Sequence, residues 1–439
     1  MLPTMANCAA APPLPNDDAL KMQVERLLAQ LDAPTRKERV GAERDLTSLG
    51  PNVLRLLPPP ELLPRIAVRE AVRRVRIALE RIKAIESMRP SRITLKGEFT
   101  LEKILSDVSA QSGNSIEFSA LPKQIQARKH RVDYNKRAFW PAIDELIARA
   151  GLEYSDDAAA GCIRLTKRQE NATSVAAVTY SGSFRIAVVA ARLRPFPNRG
   201  PFRIVRVNYR LRAEPRLRPL FVKYRGRDFA AQSFVGRALL PFSPDAQPEI
   251  PLGEGGRHLK LQSDFRVPSD AIPKALSFRG KLTLTAAAGA ERIEFTRLNK
   301  ADGTARRRGG VTVKLQEIEF ERATATGRTA RIRVVVSYDV GGPAFESHRT
   351  WVFHNRVYLQ TSDGRRIERD DEFHTNLQTD GAVVVEYGFR NLKADPSDYR
   401  FVYVAPTLLV KLPIVFDFAK IPVSASAIKV PTISKRKLR

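Results

Sequence analysis

The densest run of groups able to do chemistry is a stretch of arginines. In the segment 202–212, Val205, Val207, Tyr209 and Leu211 fall on one face of a strand, and Arg206, Asn208, Arg210 and Arg212 on the other. Arg216, Arg218, Lys223 and Arg225 follow within a few residues. Guanidinium groups about 7 Å apart along a strand would match the successive charges of an anionic polymer. Arg206, Arg210, Arg212, Arg216, Arg218, Lys223 and Arg225 are therefore the candidate polyanion-binding set. The same pattern also describes a solvated strand face in an arginine-rich chain. Charge alone licenses attraction, not a function.

The other reactive groups are scattered. His348 and His354 share parity in a strand-like run, and His374 follows Asp370-Asp371-Glu372-Phe373. Imidazoles beside a carboxylate can hold a transition metal. Two ligands six residues apart on a strand, however, stand about 20 Å apart, so no metal is expected. His130, in the basic run Arg128–Arg131, reads as an exposed side chain rather than a catalytic one. Gly253-Glu254-Gly255-Gly256 lacks the Lys-Ser/Thr of a phosphate loop, and Tyr180-Ser181-Gly182-Ser183 lacks the spacing of a nucleophile elbow. Asp156-Asp157, Asp370-Asp371 and Glu317/Glu319/Glu321 suit turns and solvated strands. No reaction, metal or cofactor is expected from these residues.

The elements that position such groups follow from composition and periodicity. With 439 residues, 43% apolar, the chain has room for about three domains. Its net charge is +27. The two cysteines, Cys8 and Cys162, make no disulfide scaffold and no zinc spacing. No run approaches the ~18 apolar residues of a membrane span. Residues 1–16 are Ala- and Pro-rich, without the apolar core of a secretory signal. Ala9–Pro15 resembles the stretch that follows a cleavage site, and an h-region upstream of Met1 is the expectation. Read from Met1 as written, the chain would be cytoplasmic.

Residues 17–89 carry helical spacing: Leu20, Val24, Leu27, Leu28 and Leu31, then Val68, Val72, Val75, Leu79 and Ile82. Asp17 or Asp18 caps the first helix, Asp32 with Pro34 starts the second, Gly50-Pro51 ends it, and Pro64 opens the third. Arg39–Leu54 followed by Val68–Val75 resembles a HEAT-like repeat of about one and a half units, too few to bury its own faces. It is therefore expected to pack on a neighbouring domain.

The block 90–169 reads strand, helix, strand, strand, helix, strand, strand: Arg92–Phe99, Leu101–Ser112, Ser115–Phe118, Lys129–Tyr134, Phe139–Ala150, Gly151–Tyr154 and Cys162–Leu165. The helix stripes are Leu101, Ile104, Leu105 and Val108, then Ile143, Leu146 and Ile147 beside Phe139 and Trp140, and both are expected to cover one small mixed sheet. The order resembles the short N-terminal (STN) domain of secretins and TonB-dependent receptors. That resemblance implies a fold that binds partner proteins in the bacterial envelope and catalyses nothing. Trp140-Pro141 at the start of the second helix and the basic Arg128–Arg131 depart from the family's pattern, so its partner surface is not carried over.

Beyond a linker at 170–174, period-two alternation bounded by turn residues replaces helical periodicity. Phe202–Tyr209 parallels Ala330–Tyr338, and Leu276–Thr285 with Ile293–Phe295 parallels Phe401–Val410 with Val415–Phe418. An offset of roughly 125–130 residues is one sandwich domain. Two tandem antiparallel β-sandwiches are expected, at 175–300 and 308–423, followed by a basic tail at 424–439. The fold class is thus multidomain α+β.

The function this implies is a non-enzymatic interaction or scaffold protein of the bacterial periplasm or cell envelope, with a protein or an anionic envelope polymer as partner. No barrel or pore follows the STN-like block, so no transport role is carried over. Two rivals stay open: a basic nucleic-acid-binding protein of the cytoplasm, and a hydrolase with a non-contiguous site.

Overall fold

The computed structural model describes residues 17–155, 161–169, 175–195, 202–252, 259–268, 272–321, 327–338, 352, 355–370, 373–379 and 382–425. They fall into two compact units, one ending at Ser87 and one beginning at Met88. The N-terminal helices are followed by a large, mostly antiparallel sheet region with smaller sheets.

The first unit holds α1 (Asp17–Gln30), α2 (Arg36–Ser48) and α3 (Ile66–Ser87). Val24 and Leu27 of α1, Leu46 of α2 and Val72, Val75 and Leu79 of α3 make its core, with Leu31, Val53 and Leu57 from the connecting turns. The start of α2 differs from expectation. Its cap is Thr35, whose Oγ1 accepts from the Glu38 N–H while Glu38 accepts from the Thr35 N–H, a reciprocal capping box. Asp32 instead pairs with Arg65 at 2.5 Å.

The second unit opens with β1 (Arg92–Thr100), α4 (Leu101–Ser112), β2 (Ser115–Glu117), the short α5 (Lys123–Gln126), β3 (Lys129–Ala138), α6 (Phe139–Ala150), β4 (Leu152–Tyr154) and β5 (Cys162–Lys167). The Thr100 hydroxyl caps α4, and Gly113 and Gly151, at φ 68 and 67, end the two long helices in the left-handed conformation that a Cβ disfavours. The strands do not form one mixed sheet. β1 and β3 pair antiparallel on their own, while β2, β5 and β4 form a separate three-stranded sheet. One core, centred on Ile104, Leu105, Phe139, Trp140 and Ile143, joins both sheets to both helices.

The sheet region is a duplication. Its first half contains β6 (Ala177–Ser181), β7 (Phe184–Pro195), β8 (Phe202–Ala213), β9 (Arg218–Lys223), β10 (Phe229–Ser233), β11 (Ala238–Pro241), β12 (Glu249–Pro251), β13 (Leu259–Pro268) and β14 (Ala275–Phe295). Its second half contains β15 (Ala305–Arg308), β16 (Val311–Phe320), β17 (Arg328–Tyr338), β18 (Arg356–Gln360), β19 (Arg366–Glu368), β20 (Phe373–Thr379), β21 (Ala382–Leu392) and β22 (Arg400–Ala425). The ladder β6-β7-β8-β13 recurs as β15-β16-β17-β21. Even the irregularities recur. A bulge lies between Val188 and Ala190 in β7, and another between Leu315 and Glu317 in β16. The β10–β11 hairpin closes with Gln232 Nε2 donating to Gly236 O at 2.6 Å. Its counterpart, β18–β19, closes with Gln360 Nε2 donating to Gly364 O at 3.1 Å. Gly236 and Gly364 take φ 89 and 87.

The halves expected at 175–300 and 308–423 share their last strands. β22 pairs antiparallel with β14 from Ala275↔Pro422 to Phe295↔Phe401, so the two final strands form one long ribbon. The ribbon serves two cores. Near one end, Phe278, Phe416 and Phe418 pack with Tyr209, Phe229 and Phe265 of the first half. Near the other, Ile293, Phe295, Phe401 and Tyr403 pack with Val313, Ile332, Val334, Val385 and Phe389 of the second. Each half thus completes its core with part of the other half's last strand. Leu408, at φ 51, marks the crossing between the two cores. β22 also pairs in parallel with β7 through Val423–Ala425, which ties the chain's last described residues to the first half.

Candidate functional site

The seven residues of the candidate polyanion set do not make one row. Arg206 donates to both oxygens of Asp264, directly across on β13, at 2.7 and 2.6 Å. The duplication repeats this pair, because Arg333 on β17 donates at 3.0 Å to Glu386 across on β21. A recurring cross-strand ion pair explains Arg206 as part of the scaffold. Arg212 is buried, its guanidinium 4.8 Å from the centre of the Tyr154 ring. Arg216 donates to Glu214 at 2.7 Å and to the Arg89 carbonyl. Arg210, Arg218 and Lys223 are part-buried, and Arg225 is exposed with its backbone N–H bonded to Asp228.

Arg212 leads to a site that the sequence did not announce. Asp144, on the first turns of α6, accepts from Arg185 Nε of β7 at 3.0 and 2.7 Å, from the Tyr154 hydroxyl at 2.7 Å and from the Tyr180 hydroxyl at 2.7 Å. The Arg185 and Arg212 guanidinium carbons lie 5.0 and 4.8 Å from the Tyr154 ring centre, within cation–π range. Trp140 packs edge-on against the same ring. Burial, then the Asp144 carboxylate, pushes the Tyr154 hydroxyl well above the usual tyrosine range, so it stays a donor. Burial and the bond to Asp144 do the same to Tyr180. One carboxylate thus holds Arg185 and two tyrosines together, and Arg212 stacks on one of those tyrosines.

A second buried cluster lies beside it. Glu214, whose side chain is 0% exposed, accepts from the Ser91 N–H at 3.0 Å, the Ser91 hydroxyl at 2.8 Å, Asn114 Nδ2 at 3.3 Å and Arg216 Nε at 2.7 Å. Asn114 Oδ1 in turn accepts from the Arg216 N–H. Ser183 adds a node: its carbonyl accepts from Trp140 Nε1 at 3.0 Å, and its hydroxyl donates to the Met88 carbonyl at 2.5 Å. Replacing Glu214 with glutamine turns acceptor lone pairs into N–H donors facing donors. The expected cost is about 2–3 kcal/mol, read as a lower midpoint in urea unfolding.

A cleft of about 460 Å³ lies on a face of β17 and β21. Its carboxylates each face a guanidinium: Glu321 with Arg331 at 3.0 Å, Asp370 with Arg390 at 2.9 Å and Glu386 with Arg333 at 3.0 Å. It is an ion-pair face. His348 and His354 lie outside the described residues, as does the side chain of His374. His130 is half-buried, and burial, with Arg149 and Arg128 nearby, holds its imidazole below the usual histidine range.

No family model matches the chain, and no curated protein matches it. Among solved structures it is similar to a chain titled "pT26-6p", at 10% identity and a TM-score of 0.14. The match covers 56% of this chain and 65% of that one, less than two thirds of its length. A likeness that low carries no argument about fold or role.

Proposed function

We propose that the protein is a non-enzymatic interaction or scaffold protein of the bacterial periplasm or cell envelope, whose STN-like block and paired sandwich-like halves bind protein or anionic partners. The observation that carries this reading is the fixing of the block at 88–167 onto the sheet region. The Asp144 and Glu214 clusters hold its α6 and β2 side rigidly. The β1–β3 ribbon has no further strand on either edge among the described residues. Open edges accept an added strand from a partner, and Lys96, Lys129 and Arg131 along this ribbon would discourage indiscriminate pairing.

Photo-crosslinking side chains placed at Lys96 and Lys129 in the full chain, combined with cell fractionation, test the reading. The expected result is recovery in the envelope or periplasmic fraction with a discrete protein adduct. Recovery in the cytoplasm with adducts to nucleic acid would favour the rival that the charge of +27 supports.

A further inference from the structure

The two repeats build the same hairpin and finish it differently. In both, a Gln side chain clasps the carbonyl of a left-handed Gly, and the residue before the turn (Ser233 or Thr361) donates its N–H to the carbonyl of the following arginine (Arg237 or Arg365). In the second repeat the tip is Ser362-Asp363. In the first it is Phe234-Val235, at 70% and 89% exposure. Since the polar copy closes the same turn, the apolar tip is not required by the fold.

The surroundings of the tip are basic. Lys420 Nζ lies 5.1 Å from the centre of the Phe234 ring. The Phe234 N–H bonds Ala275 O, which puts the exposed Lys274 beside the tip, and Arg237 closes the turn. Lys274 O accepts from the Val423 N–H, so the last described residues of the chain leave from this same end. The 14 residues that follow them contain Lys429, Lys435, Arg436, Lys437 and Arg439 and no acidic residue.

We infer that the Phe234-Val235 hairpin is a membrane-docking tip that inserts into the interface of an anionic lipid bilayer while Arg237, Lys274 and Lys420 hold the headgroups. Two apolar side chains give only marginal, reversible binding to a bilayer, and a polybasic collar supplies the second signal that such anchoring needs. Charge complementarity selects an anionic surface, and the protruding shape of the tip suits insertion. The inference does not rest on the block at 88–167. Its failure and the failure of the proposed crosslinking are separately visible.

The test is flotation of the full chain with vesicles of phosphatidylcholine, with and without phosphatidylglycerol. The parent is expected to float with the anionic vesicles only. Phe234→Ser/Val235→Asp, which copies the second repeat, and the uncharged Phe234→Ser/Val235→Ser should melt as the parent does and lose partitioning roughly tenfold or more. Val235→Trp should show blue-shifted emission on the anionic vesicles. Equal flotation of parent and Ser/Ser variant would overturn the inference, because charge alone would then explain adsorption. No flotation of the parent would also overturn it, including a case where the tip instead retains single-stranded DNA or a protein.

Discussion

Replacing Asp144 with alanine is expected to destabilise the second unit by about 3–5 kcal/mol, the usual cost of removing one partner from a buried, hydrogen-bonded charge pair. The Arg185 and Asp144 side chains are only 10% and 16% exposed, so water cannot replace the lost bonds cheaply. Arg185 Nε would be left without the carboxylate that accepts from it, Arg212 would stay buried beside Tyr154, and the Tyr154 hydroxyl would lose its partner. Tyr180→Phe removes one bond at a more open position and should cost under about 1 kcal/mol. Asp144→Leu combined with Arg185→Leu should recover part of the loss, because both charges then leave together. Urea unfolding of the three variants measures this. An Asp144→Ala variant as stable as the parent would show that the cluster is not holding α6 to the sheet.

Phe278→Ala is expected to cost about 3–5 kcal/mol and to lower the stability of the second half of the sheet region as well as the first. Phe278 is fully buried, with ring centres at 5.3 Å for both Tyr209 and Phe416, 5.9 Å for Phe265 and 6.2 Å for Phe229. Removing the ring leaves a cavity that rigid aromatic neighbours refill poorly. Its strand continues into the second core, where Ile293 and Phe295 pack with Phe401 and Tyr403. A destabilised ribbon is therefore felt in both. Phe401, fully buried and facing Leu359 as Phe278 faces Ala231, is the matching position of the second core. Fluorescence reporters placed separately in each half should show coincident unfolding midpoints for Phe278→Ala. A shift confined to the first half would mean that the cores unfold independently.

What the sequence disclosed follows from the range of the interactions involved. Local features were legible. The stripes of α4 and α6, the glycine stops at Gly113 and Gly151, and the order of elements from 92 to 167 are set by residues within a few positions of one another. The repeat was legible from similar strands, though the matching Gln232-Ser233…Gly236-Arg237 and Gln360-Thr361…Gly364-Arg365 carry a sharper signal than strand alternation does. The ribbon was not legible. Alternation tells which face of a strand is buried and leaves open which distant strand lies beside it, so β14 and β22 read as ends of separate domains. The Asp144 cluster was hidden for a related reason. On a helix surface Asp144 looks like a solvated charge, and Arg212 looks outward on its strand, until Tyr154 from another element covers both.

The central claim is that β14 and β22 make the two repeats a single folding unit. Amide hydrogen exchange of the full chain across a urea series tests it most directly. The account predicts that the core amides of β8, β14, β17 and β22 share one opening free energy that falls with one urea slope. Separate opening of β16, β17 and β21 at lower urea, with β14 and β22 still fully protected, would contradict it.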